Sequence, residues 1–283
     1  MKTMKNNKHE LQEIVAVVNN KGGVGKTTTV QSLAAGLVRL QPSLRVLVID
    51  LDPQCNLSSL MRLSPKDSRT IFDAMCEQSG VTVYKCYNGV YAVCGSAQMQ
   101  NVEQHLPGGS SFREMKRSYY VLAKCLQDCE IYDETGEGLK SVFDDFDYVF
   151  IDCPPSLSKI TYNAMLIASS VLVPLQLDSL SIRGLAAVLD VMDEITGDLH
   201  LNDDLVFAGL LPVMVKSRTK INRENQAYLD EHFQDKVLGT GVHDCIKVWE
   251  AQARNCTIFD YAPYSSAGID YEMVVKSLYL NKK

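Results

Sequence analysis

A glycine-rich stretch near the N-terminus of this 283-residue chain combines the residue types that bind phosphate groups. Its glycines can adopt positive φ, which turns several backbone N–H groups inward around an anion. The lysine and threonine that follow can supply a cation for the β- and γ-phosphates of a nucleotide and a hydroxyl ligand for Mg²⁺. The predicted phosphate-binding residues are Gly22, Gly23, Val24, Gly25, Lys26, Thr27 and Thr28.

The residues on either side of this stretch predict the elements that would hold it. An apolar, β-branched run at 14–18 is typical of a buried strand, and the apolar spacing at 30–38 is typical of a helix. Strand, glycine-rich turn and helix are the context that a phosphate-binding loop requires. The strict pattern G-x-x-x-x-G-K-[ST] is missed by one residue, because Asn20 occupies the first glycine position. A second lysine, Lys21, stands at the head of the loop.

Aspartates follow two further predicted strands. The apolar run at 45–50 ends in an aspartate and continues into Asp52, which a following proline places on a loop. The run at 147–152 ends in Asp152, the pattern of a Walker B carboxylate that holds Mg²⁺ directly or through water. Because ligands bind beyond the carboxyl ends of strands in open α/β sheets, we expect these carboxylates to face the bound nucleotide.

Three motifs together resemble a known family. The loop K-G-G-x-G-K-T, the segment D-x-D-P-Q at 50–54 and the segment D-x-P-P at 152–155 are similar to those of the deviant-Walker-A ATPases. The resemblance is closest to the ParA/Soj partition ATPases and covers residues 14–280. It implies ATP and Mg²⁺ as cofactors and an ATP-dependent homodimer in which Lys21 of each subunit reaches the phosphates of its partner's ATP.

The resemblance also implies roles for single residues. It assigns catalysis to Lys21, Lys26 and Asp52, the metal site to Thr27, Asp152 and Asp50, and a cofactor contact to Pro263. Asp52 would orient or deprotonate the attacking water. Pro263 belongs to a loop that corresponds to one near the adenine in relatives. Cys55 departs from the pattern, because the family usually has a glycine after the glutamine, and this difference could alter the flexibility of the loop.

A basic segment is the candidate surface for DNA. The cations assigned to it are Lys216, Arg218, Lys220 and Arg223, with Lys247 further along the chain. Contacts with DNA phosphates require charge and no base readout. In the family, the corresponding S-R-T segment begins a helix, and its arginine contributes to nonspecific DNA binding. Asp244 stands where DNA-binding members carry arginine, and a carboxylate there repels phosphate, so a rearranged, weaker or absent DNA surface stays open.

Composition limits the classes of protein that the chain can belong to. With 46% hydrophobic and 22% charged residues it can form a full core, and a net charge of −6 argues against nucleic-acid binding over its whole surface. No apolar run approaches the roughly 20 residues that span a bilayer. The nine cysteines form no C-x-x-C pair and predict free thiols in a reducing cytoplasm. An iron–sulfur cluster held between subunits is the alternative.

The alternation of predicted strands and helices indicates the fold. We expect a flexible leader at 1–13 and one α/β domain at 14–283, with a doubly wound, mostly parallel sheet and helices on both faces, as in P-loop NTPases. Further predicted strands lie at 81–84, 90–93, 171–175 and 207–215. Helical spacing is present at 112–129, from residue 181 onward and at 269–280, and a polar turn is predicted at 133–138.

The resulting functional hypothesis is a partition ATPase that is switched by its nucleotide. It would bind DNA nonspecifically in the ATP state, hydrolyse ATP slowly and be stimulated by a ParB-like or adaptor protein. The expected location is cytoplasmic, on the nucleoid in the ATP state, without membrane binding. Two alternatives remain: positioning of a protein cargo on the nucleoid by the same cycle, and a metallochaperone or redox relative that does not bind DNA.

Overall fold

The computed structural model describes residues 12–108, 112–132, 141–216 and 218–280. Within these ranges one eight-stranded sheet forms the centre of the chain. Its strands are β1 (Glu13–Val17), β2 (Val46–Asp50), β3 (Val81–Lys85), β4 (Tyr91–Val93), β5 (Cys129–Tyr132), β6 (Tyr148–Asp152), β7 (Ser170–Gln176) and β8 (Val206–Val213). Their order is β5-β3-β4-β2-β6-β1-β7-β8, and only the β3–β4 pair is antiparallel among them. The predicted doubly wound, mostly parallel sheet is confirmed.

Helices follow most of the strands in the described ranges. They are α1 (Lys26–Leu40), α2 (Asn56–Leu60), α3 (Ile71–Glu77), α4 (Phe112–Tyr119), α5 (Val121–Gln127), α6 (Val142–Asp145), α7 (Lys159–Ile167), α8 (Ser179–Asp193), α9 (Lys220–Phe233), α10 (Ile246–Gln252), α11 (Ile258–Tyr261) and α12 (Ser266–Val275). Shorter 3₁₀ segments cover Ala97–Gln104 and Gln234–Lys236, and π-helical turns cover Glu194–Asp198 and Lys276–Leu280. No helix among the described residues is long and apolar enough to cross a membrane.

The central strands are buried on both faces, which explains their continuous apolar sequence. In β1, Ile14 and Ala16 belong to one apolar core and Val15 and Val17 to the other, because successive strand side chains point to opposite faces. The first core also contains apolar residues of α3, α5, α7 and α8. The second contains those of α1, α11 and α12. The sheet is therefore covered by helices on both faces, as predicted.

The helical pattern at 112–129 does not form one helix. α4 ends at Tyr119, α5 begins at Val121, and the chain then enters the edge strand β5, which the sequence analysis missed. The side chain of Asn163 enters this break: it accepts a hydrogen bond from Leu122 N (3.0 Å) and donates one to Ser118 O (2.9 Å). A long-range polar contact thus replaces the local helical hydrogen bonds at the break.

Two other predicted helices begin earlier than expected because capping residues precede them. α8 begins at Ser179, and the Asp178 carboxylate accepts hydrogen bonds from Leu180 N and Ser181 N. α12 begins at Ser266 rather than at residue 269, and the Ser265 hydroxyl accepts a hydrogen bond from Gly268 N. Side-chain oxygens at such positions satisfy the first free N–H groups of a helix.

Two sequence predictions lie wholly or largely outside the described residues. The polar turn predicted at 133–138 is one of them. Of the leader predicted at 1–13, only residues 12 and 13 are described, and Glu13 is already the first residue of β1.

Candidate functional site

The carboxyl edge of the sheet brings three predicted segments together. β6 lies between β1 and β2, and Asp152 is paired in register with Val17 on one side and with Asp50 on the other. The glycine-rich loop leaves β1 at this edge, and the loop carrying Asp52 leaves β2 beside it. The motifs converge because their strands are neighbours, although Thr27 and Asp152 are 125 residues apart in sequence.

The glycine-rich loop has the backbone that its sequence predicts, with one exception. Gly23 (φ 75°) and Gly25 (φ 74°) adopt the left-handed conformation, whereas Gly22 does not. Gly25 is also the N-cap residue that precedes α1, so the N-terminal N–H groups of a fifteen-residue helix point into the loop. The helix dipole and these free donors favour an anion at this position.

Asn19 and Asn20 fix the entry to the loop, and sequence analysis assigned no role to either. The fully buried Asn19 accepts a hydrogen bond from Lys21 N (2.9 Å) and donates one to Pro174 O in β7 (2.8 Å). Asn20 Oδ1 lies against α8, where a Cβ atom on Gly184 would approach it to 2.5 Å. The asparagine at the first glycine position of the motif is therefore accommodated by a glycine on the facing helix.

Lys26, Thr27 and Asp152 form the centre of the site. Thr27 Oγ1 donates a hydrogen bond to Asp152 Oδ2 (2.7 Å), and Lys26 Nζ donates one to Lys21 O (3.2 Å). Burial raises the pKa of Asp152 well above its usual value, and the nearby Asp50 charge adds to this effect. Burial also lowers the pKa of Lys26, although the Asp152 and Asp52 charges oppose the change. The site thus holds its charged groups in a desolvated environment.

The Asp152 carboxylate fits a cation. Its Oδ1 atom is buried and has no hydrogen-bond partner among the described residues, while Oδ2 faces the Thr27 hydroxyl. A carboxylate oxygen and a threonine hydroxyl are the oxygen ligands that Mg²⁺ accepts beside nucleotide phosphates. These two side chains would hold the metal, as the sequence analysis predicts. Magnesium bound there would neutralise phosphate charge.

Both carboxylate oxygens of Asp50 accept hydrogen bonds from residues of the same chain. Its Oδ2 accepts hydrogen bonds from Ser58 N (2.8 Å) and Ser58 Oγ (2.7 Å), and its Oδ1 accepts one from Asp52 N (3.2 Å). Burial raises its pKa to about 6, and the Ser58 hydrogen bonds moderate that rise. These contacts anchor both ends of the loop that carries Asp52. The assignment of Asp50 to the metal site stays a prediction.

Asp52 lies on the loop between β2 and α2 and faces the same cavity as Lys26. Its Oδ1 accepts a hydrogen bond from Gln54 N (2.9 Å), and its backbone oxygen accepts one from Cys55 N (2.9 Å). Cys55 adopts the left-handed conformation (φ 52°), at a conformational cost of about 1–2 kcal/mol for a residue with a side chain. A glycine is usual at this position in the family, and the backbone here keeps the conformation that glycine favours.

A cavity of about 460 Å³ is present above the loop. Its size lies within the roughly 300–1,000 Å³ typical of small-molecule sites. It is lined by the loop glycines with Lys26, Thr27 and Asp52, and by residues of α2 and α10. The arrangement fits a nucleotide whose phosphates lie on the loop and whose sugar and base extend toward the helices.

Lys21 does not line this cavity. Its Nζ forms an ion pair with Asp178 Oδ2 (2.8 Å) and a hydrogen bond with Ser181 Oγ (3.2 Å) at the start of α8. Desolvation would raise the pKa of Asp178, but the hydrogen bonds from Lys21 and Ser181 lower it below its usual value. Both partners are partly exposed, so the Lys21 ammonium lies at the surface beside the mouth of the site.

The cavity above the loop is lined by two residues of α10 that the sequence analysis did not assign to the site. Pro263 lies before α12 and does not line the cavity above the loop. Two residues of α10 line it instead, Trp249 and Gln252, and Gln252 Nε2 donates a hydrogen bond to Thr28 Oγ1 (2.6 Å). The sequence signal that could have identified them is the single tryptophan of the chain, which lies on a short helix. A cofactor contact by Pro263 stays a prediction.

The predicted DNA-binding cations lie along the start of α9 and on α10, and several have acidic partners. The pairs are Lys216 with Asp244 (3.6 Å), Lys220 with Glu224 (3.5 Å) and Lys247 with Glu250 (2.8 Å). Asp244 therefore neutralises a cation of the same segment. Arg218 and Arg223 form no ion pair with the part of the chain that the structure describes, and both are exposed.

The cysteines are free thiols, as predicted, and seven of the nine are buried. Burial raises the pKa of Cys94 and Cys125 to about 11. Among the described residues no group of three or more His, Cys, Asp or Glu side chains has the geometry of a metal centre.

Comparison with known proteins places these features in a family. Residues 12–207 match the protein family described as an AAA domain. The chain is 30% identical over 264 residues to the chromosome-partitioning ATPase Soj of Thermus thermophilus, covering 93% of this chain and 94% of Soj. It is 32% identical over 242 residues to the chromosome partitioning protein ParA of Caulobacter vibrioides, covering 84% and 83% of the two chains.

A solved structure supports the same conclusion. Cobyrinic acid a,c-diamide synthase from Mycobacterium smegmatis has a similar fold, with a TM-score of 0.73 and 26% identity over 95% of this chain and 94% of that chain. That protein was solved with ADP and magnesium and with an ATP analogue and magnesium, the nucleotide class and metal predicted from the sequence. Because the likeness to Soj and ParA spans most of each chain and accompanies a formed phosphate-binding loop, this chain belongs to the ParA/Soj family of partition ATPases.

Proposed function

We propose that this chain is an ATP-dependent dimerising ATPase for plasmid or chromosome partition, which binds ATP with Mg²⁺, binds DNA nonspecifically in the ATP state and is released by partner-stimulated hydrolysis. The observation that carries the proposal is the position of Lys21. It is a second lysine at the head of the loop, yet its ammonium group lies outside the cavity that Lys26 enters. This position supports a role in which Lys21 contacts a phosphate held by another subunit.

The contacts of Lys21 permit such an exchange. Its ion pair with Asp178 is partly exposed, and ion pairs of that kind contribute only about 0–1 kcal/mol. The contact with Asp178 and a contact with phosphate are both charge-assisted, but the triphosphate of a facing subunit carries several negative charges where Asp178 carries one. The partner's ATP therefore competes successfully with Asp178 for the lysine. ADP lacks the γ-phosphate and holds the subunits together less well.

The surface around the mouth of the site fits a second copy of the chain. Leu180, beside the Lys21 contact, is 68% exposed, and Ile246 at the start of α10 is 65% exposed. Exposed large apolar side chains next to a ligand site are typical of surfaces that become covered on association. Burial of these two side chains in a face-to-face dimer would stabilise the dimer in addition to the contact between Lys21 and the partner's ATP.

In this proposal, different residues of the chain bind the phosphates, hold the metal and activate the water. Lys26 and the loop N–H groups bind and orient the phosphates, and Asp152 with Thr27 holds the metal. Asp52 accepts a hydrogen bond from Gln54 N and faces the cavity, where its second oxygen can orient a water or take its proton. General bases placed in this way contribute typically 10²–10⁴-fold to rate. Until an activating protein adds its own cation at the transferring phosphate, the reaction stays slow, which suits a timer.

An activating protein completes the cycle in this proposal. A cation supplied in trans to the transferring phosphate accelerates hydrolysis by roughly 10³–10⁵-fold in P-loop enzymes. A ParB-like or adaptor protein with a basic segment supplies this cation. The ATP state would then persist on the nucleoid in the cytoplasm until the partner arrives.

Arg218→Glu is expected to weaken retention of DNA by the ATP state on the order of tenfold while leaving ATP affinity unchanged. Arg218 is exposed, forms no ion pair with the described residues and lies away from the nucleotide cavity. Removing one phosphate contact also lowers the slope of log affinity against log salt by about 1. Gel retention of random-sequence DNA at several salt concentrations, with a non-hydrolysable ATP analogue, measures both effects.

The matched control is Lys124→Glu, the same charge change on α5 beside the opposite edge of the sheet. This variant should retain DNA as the unchanged protein does. Equal retention by Arg218→Glu and Lys124→Glu would remove the basic segment from the proposed DNA surface. Absence of ATP-dependent retention in the unchanged protein would contradict the DNA-binding part of the proposal.

A further inference from the structure

The single tryptophan of the chain stands at the nucleotide cavity without being buried. Trp249 is 56% exposed, although large aromatic side chains usually bury most of their surface. It lines the 460 Å³ cavity above the phosphate-binding loop and also a narrow slot of about 50 Å³ that adjoins it. Gly25, Thr28 and Met214 line both spaces as well, so the two lie side by side.

The position of α10 relates this tryptophan to the loop. Gln252 follows Trp249 by three residues, so both side chains lie on one face of the helix. Gln252 Nε2 donates its hydrogen bond to Thr28 Oγ1, in the first turn of α1. The sugar and base of a nucleotide whose phosphates lie on the loop therefore enter a cavity that Trp249 also lines.

Among the described residues that line the larger cavity, Trp249 is the only one with an aromatic side chain that a base could contact. Tyr271 lines the narrow slot, but it is 2% exposed and its hydroxyl is 3.4 Å from Thr29 Oγ1 in α1. Met214, with a polarisable thioether, lines the same two spaces as Trp249. An indole and a thioether at the rim of an otherwise polar phosphate site suit a flat, apolar ring.

We propose that Trp249 is a nucleotide-binding residue whose indole stacks on the base of the bound purine nucleotide. The exposed indole is covered by the base when the nucleotide binds. The proposal rests on nucleotide binding at the loop, but it does not depend on dimerisation or on DNA. Contact of Trp249 with a second subunit is the competing explanation for its exposure, and the experiment separates the two.

Tryptophan fluorescence reports directly on this side chain, because the chain contains one tryptophan. The protein is titrated separately with Mg²⁺ and ADP, with Mg²⁺ and a non-hydrolysable ATP analogue, and with Mg²⁺ and inorganic tripolyphosphate. Stacking predicts that ADP and the analogue change the emission at any protein concentration, whereas tripolyphosphate binds without that change. Emission that responds to tripolyphosphate as to ADP, or only to the ATP analogue and only at high protein concentration, would overturn the proposal.

Two variants test the energetic contribution by calorimetry. Base–aromatic stacking contributes about 1–3 kcal/mol, so Trp249→Ala should weaken ADP binding roughly 5- to 150-fold and leave tripolyphosphate binding within about twofold. Trp249→Phe keeps a stacking ring and should restore most of the affinity for ADP. A thermal unfolding midpoint of each variant without ligand shows whether the fold is intact.

The outcomes distinguish this proposal from the assignment of the nucleotide site. ADP affinity unchanged in Trp249→Ala, or an equal loss of ADP and tripolyphosphate, would overturn the stacking role alone. Failure of the unchanged protein to bind either ADP or tripolyphosphate would overturn the nucleotide site, and the stacking role with it.

Discussion

Lys26→Gln is expected to lower the affinity for ADP and ATP by about 10²–10³-fold. The Lys26 side chain is 6% exposed and lies in the cavity between the loop and the carboxylates of Asp52 and Asp152. Removing one partner of a buried charge contact costs about 3–5 kcal/mol, because the remaining charges have no solvent to compensate them. Calorimetric titration with Mg²⁺ and ADP measures the effect on binding separately from hydrolysis.

Lys21→Gln is the matched control for this variant. It makes the same change five residues earlier in the loop, on a side chain that contacts Asp178 rather than the cavity. We expect its ADP affinity to stay within about threefold of that of the unchanged protein, since an exposed ion pair contributes little. An ADP affinity of Lys26→Gln equal to that of Lys21→Gln would show that the loop does not bind phosphate through Lys26.

Asp52→Ala is expected to bind ATP normally and to slow its hydrolysis by about 10²–10⁴-fold, the usual contribution of a general base. Asp52 faces the cavity, but its hydrogen bonds run to its own loop and not to Lys26 or Thr27. Its removal should therefore spare the phosphate contacts. The ATP-bound dimer would then persist, because hydrolysis is the step that releases it.

The measurement is phosphate release in single turnover, together with the lifetime of the dimer after ATP addition. Asp52→Asn is the isosteric control, since its Oδ1 can still accept the hydrogen bond from Gln54 N. It keeps the turn but cannot take a proton, so it should be as slow as Asp52→Ala. Hydrolysis at the rate of the unchanged protein in both variants would remove Asp52 from the reaction.

The local structure around the candidate site that was predicted correctly from the sequence is that whose signals are local. The loop follows from glycines placed between a β-branched run and a helical run, and Asp152 follows from a strand that ends in a carboxylate. Topology then brings them together, because β1 and β6 are neighbours in a parallel sheet. Strand order of this kind can be inferred from βα alternation.

The parts that were missed depend on contacts between distant residues. Lys21 and Asp178 are 157 residues apart, and Thr28 and Gln252 are 224 apart. The break between α4 and α5 depends on Asn163, 41 residues beyond Leu122. Such side-chain pairs leave no periodic pattern in the sequence, so hydrophobic spacing and motif rules cannot indicate them.

Sedimentation velocity of the purified chain tests the central claim, that Lys21 joins two subunits through ATP. With saturating Mg²⁺ and a non-hydrolysable ATP analogue we expect a species of twice the subunit mass, and with Mg²⁺ and ADP a single subunit. Lys21→Ala should bind the analogue and still sediment as a single subunit. An unchanged protein that remains a single subunit when saturated with the analogue, or a Lys21→Ala variant that dimerises equally well, would contradict the account.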